Sequence, residues 1–409
     1  MGGRVNSRGD ISTRAHKLLR CVKPNLRKGG HTKIAYVTTY DSLDVENWSG
    51  SGYFMGKTLE RQCEEVIRIG PLGQHTDDVL RAKQIFYQYV VKKNYKADRT
   101  PKVLKSYADQ VSACLKDASV DVVFSPGTIP ISYLESSAPM VFWTDATVAG
   151  MIDFYPGWSN LCNETLRDAH RMEQNALSNC RLAIYSSNWA AETAINNYRV
   201  DPDKVKVVPF GANVESIRDL NDIRKIVARR SMDVCKLLFI GSDWYRKGGD
   251  IAVEIAGSLN AMGLKTELTM LGGHMAGAVP DFVSIRGFVS KKSPAGRTLI
   301  DRLFAESHFL LLPSRADCAP VVIAEAGSFG VPVVASNVGG ISTAVRNGIN
   351  GYVLAGQLVT DACNVIFKSM ESPSAYRQLA CGSFGEYTAR LNWPTAGRRV
   401  HELLKNILD

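Results

Sequence analysis

Two acids and two cations in the second half of the chain have the types and spacing for chemistry on a phosphorylated ligand. In RADCAPVVIAEAGSFGVPVVASNVGG, residues 315–340, Asp317 stands eight positions before Glu325. Between them a turn of Cys318, Ala319 and Pro320 runs into a short apolar helix that ends at Gly330, and a buried-strand pattern, VPVVAS, follows at once. An acid on the loop entering a helix and another inside it can face one pocket, and the helix N-terminus offers free N–H groups to an anion. Two hydroxyl-binding carboxylates beside an anion hole suit a sugar attached to a nucleotide diphosphate. A helix cap and a surface acid are the plainer reading of the same pair. Arg246 and Lys247 precede Gly248 and Gly249, where a strand turns into a helix. Fixed cations there can stabilise a departing diphosphate without a metal, although WYRKGG also reads as an exposed basic loop. It is not a Walker loop, because no G-K-[ST] is present.

Asp145, in FWTDATVAG, ends a buried strand and is expected to point into a cleft as a polar contact or base; a turn acid is the alternative. Gly50 and Gly52, in ENWSGSGYF, would let the backbone approach a ligand at another strand end, or simply make a turn. Phe154, Tyr155 and Trp158 are candidates for an acceptor pocket or for interdomain packing. The one Asp-x-Asp string, Asp201–Pro202–Asp203, sits where turn chemistry explains it, and the seven histidines show no metal-ligand spacing, so no metal is expected.

These residues need elements to hold them. At 409 residues the chain is too long for one core, and two domains are expected. KIAYVTTY (33–40), VDVVFS (120–125), PMVFWT (139–144) and RLAIYSS (181–187) are near-continuous apolar runs, as parallel strands covered on both faces require. Helical patterns alternate with them: 55–66, much of 76–117, and 159–180. A second alternating series starts at CKLLFIGS (235–242). In its helix, 250–262, Ile251, Ile255, Leu259 and Met262 mark a core face. The expected layout is a basic extension (1–32), an N-terminal domain (33–212), a C-terminal domain (213–388) and a helix (389–409) packing back on the first domain, with a hinge near Ala212–Glu215.

The net charge of +9 does not point to nucleic acid, because residues 1–33 carry nine Lys/Arg against the single acid Asp10 and leave the body near neutral. That segment is a solvated extension or a contact with anionic lipid. It lacks the features of a signal peptide, and no apolar run is long enough to span a bilayer. Nine scattered cysteines, with no C-x-x-C, read as small core residues of a reducing compartment; a cytoplasmic protein, at most peripheral to the inner face of a membrane, is expected.

From VVPFGAN through FIGSDWYRKGG and MLGG to PSRADCAPVVIAEAGSFGVPVVASNVGG and NGINGYVL, the C-terminal half resembles the retaining GT-B glycosyltransferases of family 4. SGSGYF stands where that family has its glycine loop. The resemblance implies two doubly wound Rossmann-like α/β domains facing a central cleft. It implies a metal-independent, retaining transferase that moves a sugar from a nucleotide-sugar donor to a glycan, lipid-linked or small-molecule hydroxyl, with no cofactor. A GT-B-like epimerase, a phosphorylase and a non-catalytic nucleotide-sugar-binding subunit stay open. Carried over by position, Asp317 meets the sugar hydroxyls and Glu325 the ribose. The backbone at Cys318, Ala319, Pro320 and Val321 approaches the sugar and diphosphate. Lys247 is the family's KG lysine, and Gly287 with Phe288 lies where the base is held. Three positions depart from the pattern: Asp317 replaces the usual Glu, Ser242 replaces an Arg after the strand, leaving Arg246 to supply that cation, and Asp145 replaces a His. Lys247→Ala is expected to cut transfer by a large factor with the fold intact.

Overall fold

The computed structural model describes residues 30–74, 77–215, 218–273, 275 and 277–409. The basic stretch before Gly30, with its expected lipid contact, lies outside the described residues. Two six-stranded sheets, each entirely parallel, form the frame. The first contains β1 (Gly30–Val37), β2 (Cys63–Ile69), β3 (Val122–Ser125), β4 (Met140–Thr144), β5 (Leu182–Tyr185) and β6 (Val205–Val207), in the order β2-β1-β3-β4-β5-β6. The second contains β7 (Cys235–Ile240), β8 (Thr266–Leu271), β9 (Val283–Ile285), β10 (Phe309–Leu312), β11 (Val333–Ser336) and β12 (Gly351–Leu354), in the order β12-β11-β10-β7-β8-β9. These are two doubly wound Rossmann-like α/β domains, the GT-B architecture.

Burial explains the apolar runs. Every residue of β3, β4, β5, β10 and β11 is buried, because helices cover both faces of each sheet. Strand order reverses between β1 and β3 in one sheet and between β7 and β10 in the other. At such a switch point the loops leaving two neighbouring strands run to opposite faces, and a crevice opens at the carboxyl ends. Lys247 and Asp317 follow β7 and β10, on either side of the second switch point, and Asp145 follows β4, the neighbour of β3.

Residues 208–214 link the domains, and the chain returns through the helix Trp393–Leu408, which packs on the helix Ser51–Gln62. Trp393 packs with Phe54, Trp143 and Phe210, and its indole N–H donates to Asn213 Oδ1 at 2.9 Å. The Asn213 amide in turn reaches the Ser49 carbonyl at 2.8 Å and Ser51 Oγ at 3.2 Å. One linker asparagine thus ties both crossings to the loop that precedes the first helix.

Three expectations shift. The helix expected at 55–66 is Ser51–Gln62, because Cys63–Ile69 is drawn into the ladder beside β1, where Glu65 pairs with Lys33. The core face of Gly249–Ala261 is turned: Ala252, Ile255, Ala256 and Leu259 are buried, while Met262 is 46% exposed at the helix end. The eight cysteines among the described residues are free, but Cys114 and Cys381 are only half-buried, unlike the six core positions.

Candidate active site

The C-terminal crevice begins with glycine geometry. After β7, Asp243 caps the short helix Trp244–Lys247, its Oδ1 accepting the Arg246 amide at 3.1 Å. Gly248 follows at φ +75°, and a Cβ there would lie 2.0 Å from the Pro313 carbonyl oxygen. Glycine therefore lets the loops after β7 and β10 touch. Across that contact the Lys247 ammonium pairs with the Asp317 carboxylate. Both side chains are largely removed from water, at 15% and 7% exposure. Gly339 and Gly340 serve the same turn from behind: a Cβ on either would come within 2.0 Å of the carbonyl oxygen of Asp317 or Cys318.

Arg246 is clamped rather than free. Its Nη1 donates to the Ala316 carbonyl at 2.9 Å, Nε lies 3.3 Å from Asp243, and the guanidinium sits 5.0 Å over the Tyr155 ring. Arg315, which opens the motif, turns away and forks onto Asp250 at 2.8 and 2.7 Å. Glu325 is buried in the helix Val322–Gly327, and its carboxylate is paired with Lys291. Ser242 is exposed on the loop after β7. Phe288 is 75% exposed beside Gly287, whose carbonyl accepts the Gly272 amide at 2.7 Å.

The turn between the two acids leans on the N-terminal domain. The Cys318 amide donates to Tyr155 Oη at 3.1 Å, so it is engaged by a side chain instead of standing open to an anion. Ala319 and Val321 pack on the apolar cluster between the first sheet and the helices Ser51–Gln62 and Trp393–Leu408, and Pro320 has no N–H to offer. Phe154 approaches Gly339, so Phe154 and Tyr155 act as interdomain packing. Trp158 stacks under Lys96 and Arg99.

The N-terminal crevice is built differently. A cavity of about 360 Å³ opens at the ends of β1, β3 and β4, lined by Tyr40, Trp48, Arg99, Asp145 and Glu173 among others. Desolvation pushes the Asp145 carboxyl up to about 6, against hydrogen bonds from its own amide and from Trp48, and the Asp317 charge adds to the rise. Asp317 thus lies within electrostatic reach of Asp145. Glu173 is 1% exposed; burial raises it to about 7 despite a 2.9 Å hydrogen bond from Thr128 Oγ1. Glu173 Oε1, Arg99 Nε and Tyr40 Oη are buried here without a partner. Polar atoms left bare in a cavity are what a hydroxyl-rich ligand would satisfy.

Gly50 has φ +91° and lines a larger cleft of about 990 Å³ between the domains, which also takes in Tyr53, Asn213 and Lys291. Gly52 does not open onto a ligand: a Cβ there would fall 2.2 Å from Tyr40 Oη, and its carbonyl accepts Tyr36 Oη at 2.8 Å. Asp201 caps its own turn, accepting the Asp203 amide at 2.9 Å. Among the described residues no cluster of three or more His, Cys, Asp or Glu could hold a metal. Sequence reasoning overlooked Lys291, Arg99 and Glu173. Glu173 carried a signal: it shares helical spacing with the buried Ala169, Ala176 and Leu177, an acid on an apolar face.

Residues 234–368 match the family model of the glycosyl transferases group 1. D-inositol 3-phosphate glycosyltransferase of Stackebrandtia nassauensis is 28% identical over 239 residues, 54% of this chain and 53% of that protein. The same-named protein of Frankia alni is 26% identical over 58% of this chain and 61% of its own length. The chain thus spans little more than half the length of the curated relatives it matches. Among solved structures, sucrose-phosphate synthase from Thermosynechococcus elongatus superposes with a TM-score of 0.62 at 14% identity, covering 92% of this chain and 99% of that one. Anabaena Alr3699/HepE, solved with UDP and glucose, gives 0.59 at 16% identity over 92% and 100%. The fold is GT-B, and its C-terminal domain carries the signature of the glycosyl transferases group 1 over residues 234–368.

Proposed function

We propose that the chain is a metal-independent, retaining glycosyltransferase of the family 4 type, moving a sugar from a nucleotide-sugar donor to an acceptor hydroxyl. The observation that carries this reading is the meeting of Lys247 with Asp317 at the switch point of the C-terminal sheet, within electrostatic reach of Asp145 at the end of β4. A donor diphosphate at the Val322–Gly327 end of the C-terminal crevice takes over Lys247, beside the clamped Arg246. Asp317, released from its lysine, turns its carboxylate to the sugar hydroxyls, and Glu325 holds the ribose. The bond from the anomeric carbon to the leaving phosphate oxygen breaks, and a bond to the acceptor oxygen forms on the same face. The acceptor proton passes to the departing phosphate. Lys247 and Arg246 stabilise the charge that collects there, and the Asp145 carboxylate faces the positive charge that develops on the sugar. The acceptor occupies the N-terminal cavity, where Glu173, Arg99 and Tyr40 meet its hydroxyls.

Inositol phosphate enters as an acceptor class through the two relatives named for it, and UDP-glucose as a donor class through a second structure of HepE, solved in complex with UDP-glucose. A thermal-shift screen of UDP-, GDP- and dTDP-sugars, followed by transfer assays with polyol and lipid-linked acceptors, tests the reading. One donor is expected to raise the melting temperature by mass action and to yield a product that keeps the donor's anomeric configuration. Inverted product would remove the retaining mechanism. Donor binding without transfer to any acceptor would turn the reading to a non-catalytic subunit.

A further inference from the structure

On the N-terminal domain, six of the fifteen large apolar side chains exposed among the described residues crowd into thirteen positions: Val79, Ile85, Phe86, Tyr89, Val90 and Val91. Single exposed apolar residues are ordinary, whereas a contiguous run of this kind marks an interaction surface. The helix Asp78–Ile85 continues into the π-helical turn Phe86–Val91. Leu80 and Tyr87, seven residues apart, face inward: Leu80 is buried and Tyr87 stacks on Tyr95 at 5.2 Å. Val79 and Phe86 share that seven-residue spacing on the other side, and Ile85 with Tyr89 and Phe86 with Val90 are four apart.

The segment is anchored, so its apolar side does not point outward through looseness. Asp77 caps its start by accepting the Leu80 amide at 3.0 Å, and Lys83 pairs with Glu164 at 2.6 Å. Its end is tied down where the Asn160 amide donates to the Lys92 carbonyl at 2.8 Å. From Asp77 to Lys93 there are four basic residues, Arg81, Lys83, Lys92 and Lys93, against two acids at the start, of which Asp77 caps the helix and Asp78 makes a 3.7 Å exposed pair with Arg81. Arg81 and Lys92 are exposed beside the apolar stripe.

We propose that this face docks on an anionic lipid bilayer, with Phe86, Tyr89 and Val90 in the headgroup–acyl boundary and Arg81 and Lys92 on the lipid phosphates. The charges choose the occupant. A second copy meeting the same stripe about a two-fold axis would set the exposed Arg81 and Lys92 against their own copies, whereas an anionic surface complements both. The segment is joined through the Tyr87–Tyr95 stack to the stretch that leads to Arg99 in the N-terminal cavity, so the proposed docking puts that side of the domain toward the headgroups. Under the transferase reading, on which this last step alone rests, the acceptor is lipid-linked.

The test is co-sedimentation of the full chain with vesicles of phosphatidylcholine alone or mixed with phosphatidylglycerol. The wild type is expected to sediment with the mixed vesicles, to do so less as salt rises, and to stay in solution with phosphatidylcholine alone. F86S/Y89S/V90S should lower the bound fraction on mixed vesicles by about tenfold, with an unchanged melting temperature because all three side chains are exposed. The single variant F86S and the charge variant R81E/K92E should each lose part of the binding. In F86W the added indole should shift its emission to the blue on mixed vesicles. Absence of vesicle binding, patch variants that sediment like the wild type, an unshifted F86W, or a dimer that F86S/Y89S/V90S dissolves would each overturn the proposal. None of these readouts uses transfer activity, so docking and the transferase reading fail separately.

Discussion

At the switch point of the C-terminal sheet, charges come in matched pairs: Lys247 with Asp317, Lys291 with Glu325, Arg315 with Asp250. At the carboxyl ends of the N-terminal sheet, Asp145 and Glu173 line a cavity in which, among the described residues, neither carboxylate is ion-paired; both are pushed up by burial, with Arg99 only partly offsetting it at Glu173. The backbones are alike, so the difference lies in the side chains the loops deliver. A paired crevice suits a ligand of strong charge, because a diphosphate can exchange places with Asp317 on Lys247 without leaving a bare ion. A desolvated crevice suits a hydroxyl-rich ligand, because hydroxyls can satisfy Glu173 Oε1 and Tyr40 Oη, while the bare Arg99 Nε in the same cavity can take an anionic substituent.

The contrast breaks most visibly at Lys247. Lys247→Ala is expected to lower the transfer rate by about a hundredfold or more, as removal of a donor to developing negative charge does. Contrary to the expectation from sequence, it should also lose about 3 kcal/mol of stability, because Asp317 is left buried and uncompensated. The double variant K247A/D317N should recover the stability and none of the rate. Urea midpoints alongside turnover check both halves, and a fully stable single variant would show that the pair does not hold the loops.

Glu173→Gln probes the other crevice. In the folded chain Glu173 takes up its proton near pH 7, above the ordinary glutamate value of 4.5. Between those values the folded state binds more protons than the unfolded one, so stability falls as pH rises through the window and is flat above it. The amide removes that slope and should stabilise the protein at pH 8 by up to about 3 kcal/mol. Denaturation midpoints from pH 4 to 8 would show the slope or its absence. A smaller change is expected at Asp145: if its carboxylate faces the sugar, the rate falls about tenfold per unit as pH drops below about 6. Asp145→Asn should be slow and flat over that range, and a retained acid limb would assign it elsewhere. Least of all, Arg399→Ala should leave urea midpoint and turnover at wild-type values, because the Arg399–Glu402 pair is 62% exposed on both sides.

Parts of this contrast are legible without a structure. Asp317 and Glu325 stand out because one short loop and one helix carry both, and Lys247 because a strand-to-helix turn must place it at a sheet end. Their partners are not legible in the same way. Lys291 meets Glu325 only because the loop after β9 crosses the helix Val322–Gly327. The Cys318 amide is engaged by Tyr155, a residue of the other domain. Gly52 reads as part of a ligand loop, yet the space beside it belongs to Tyr40. The boundary at Cys63 moved for the same reason: pairing with β1 outweighs the helical pattern of CEEV.

The order of amino acids by itself determined the alternation of buried strands and amphipathic helices, the glycines that let loops touch, and the acids and cations set on the loops after strands. Those features depend on neighbours a few residues away, through side-chain periodicity and backbone freedom. Only the tertiary structure decided which of those charges neutralise one another and which stay bare, because pairing and desolvation depend on groups that the chain brings together from far apart. Lys247 and Asp317 are seventy residues apart in sequence and in contact in space; Asp145 feels Asp317 only across the cleft that the two sheets enclose.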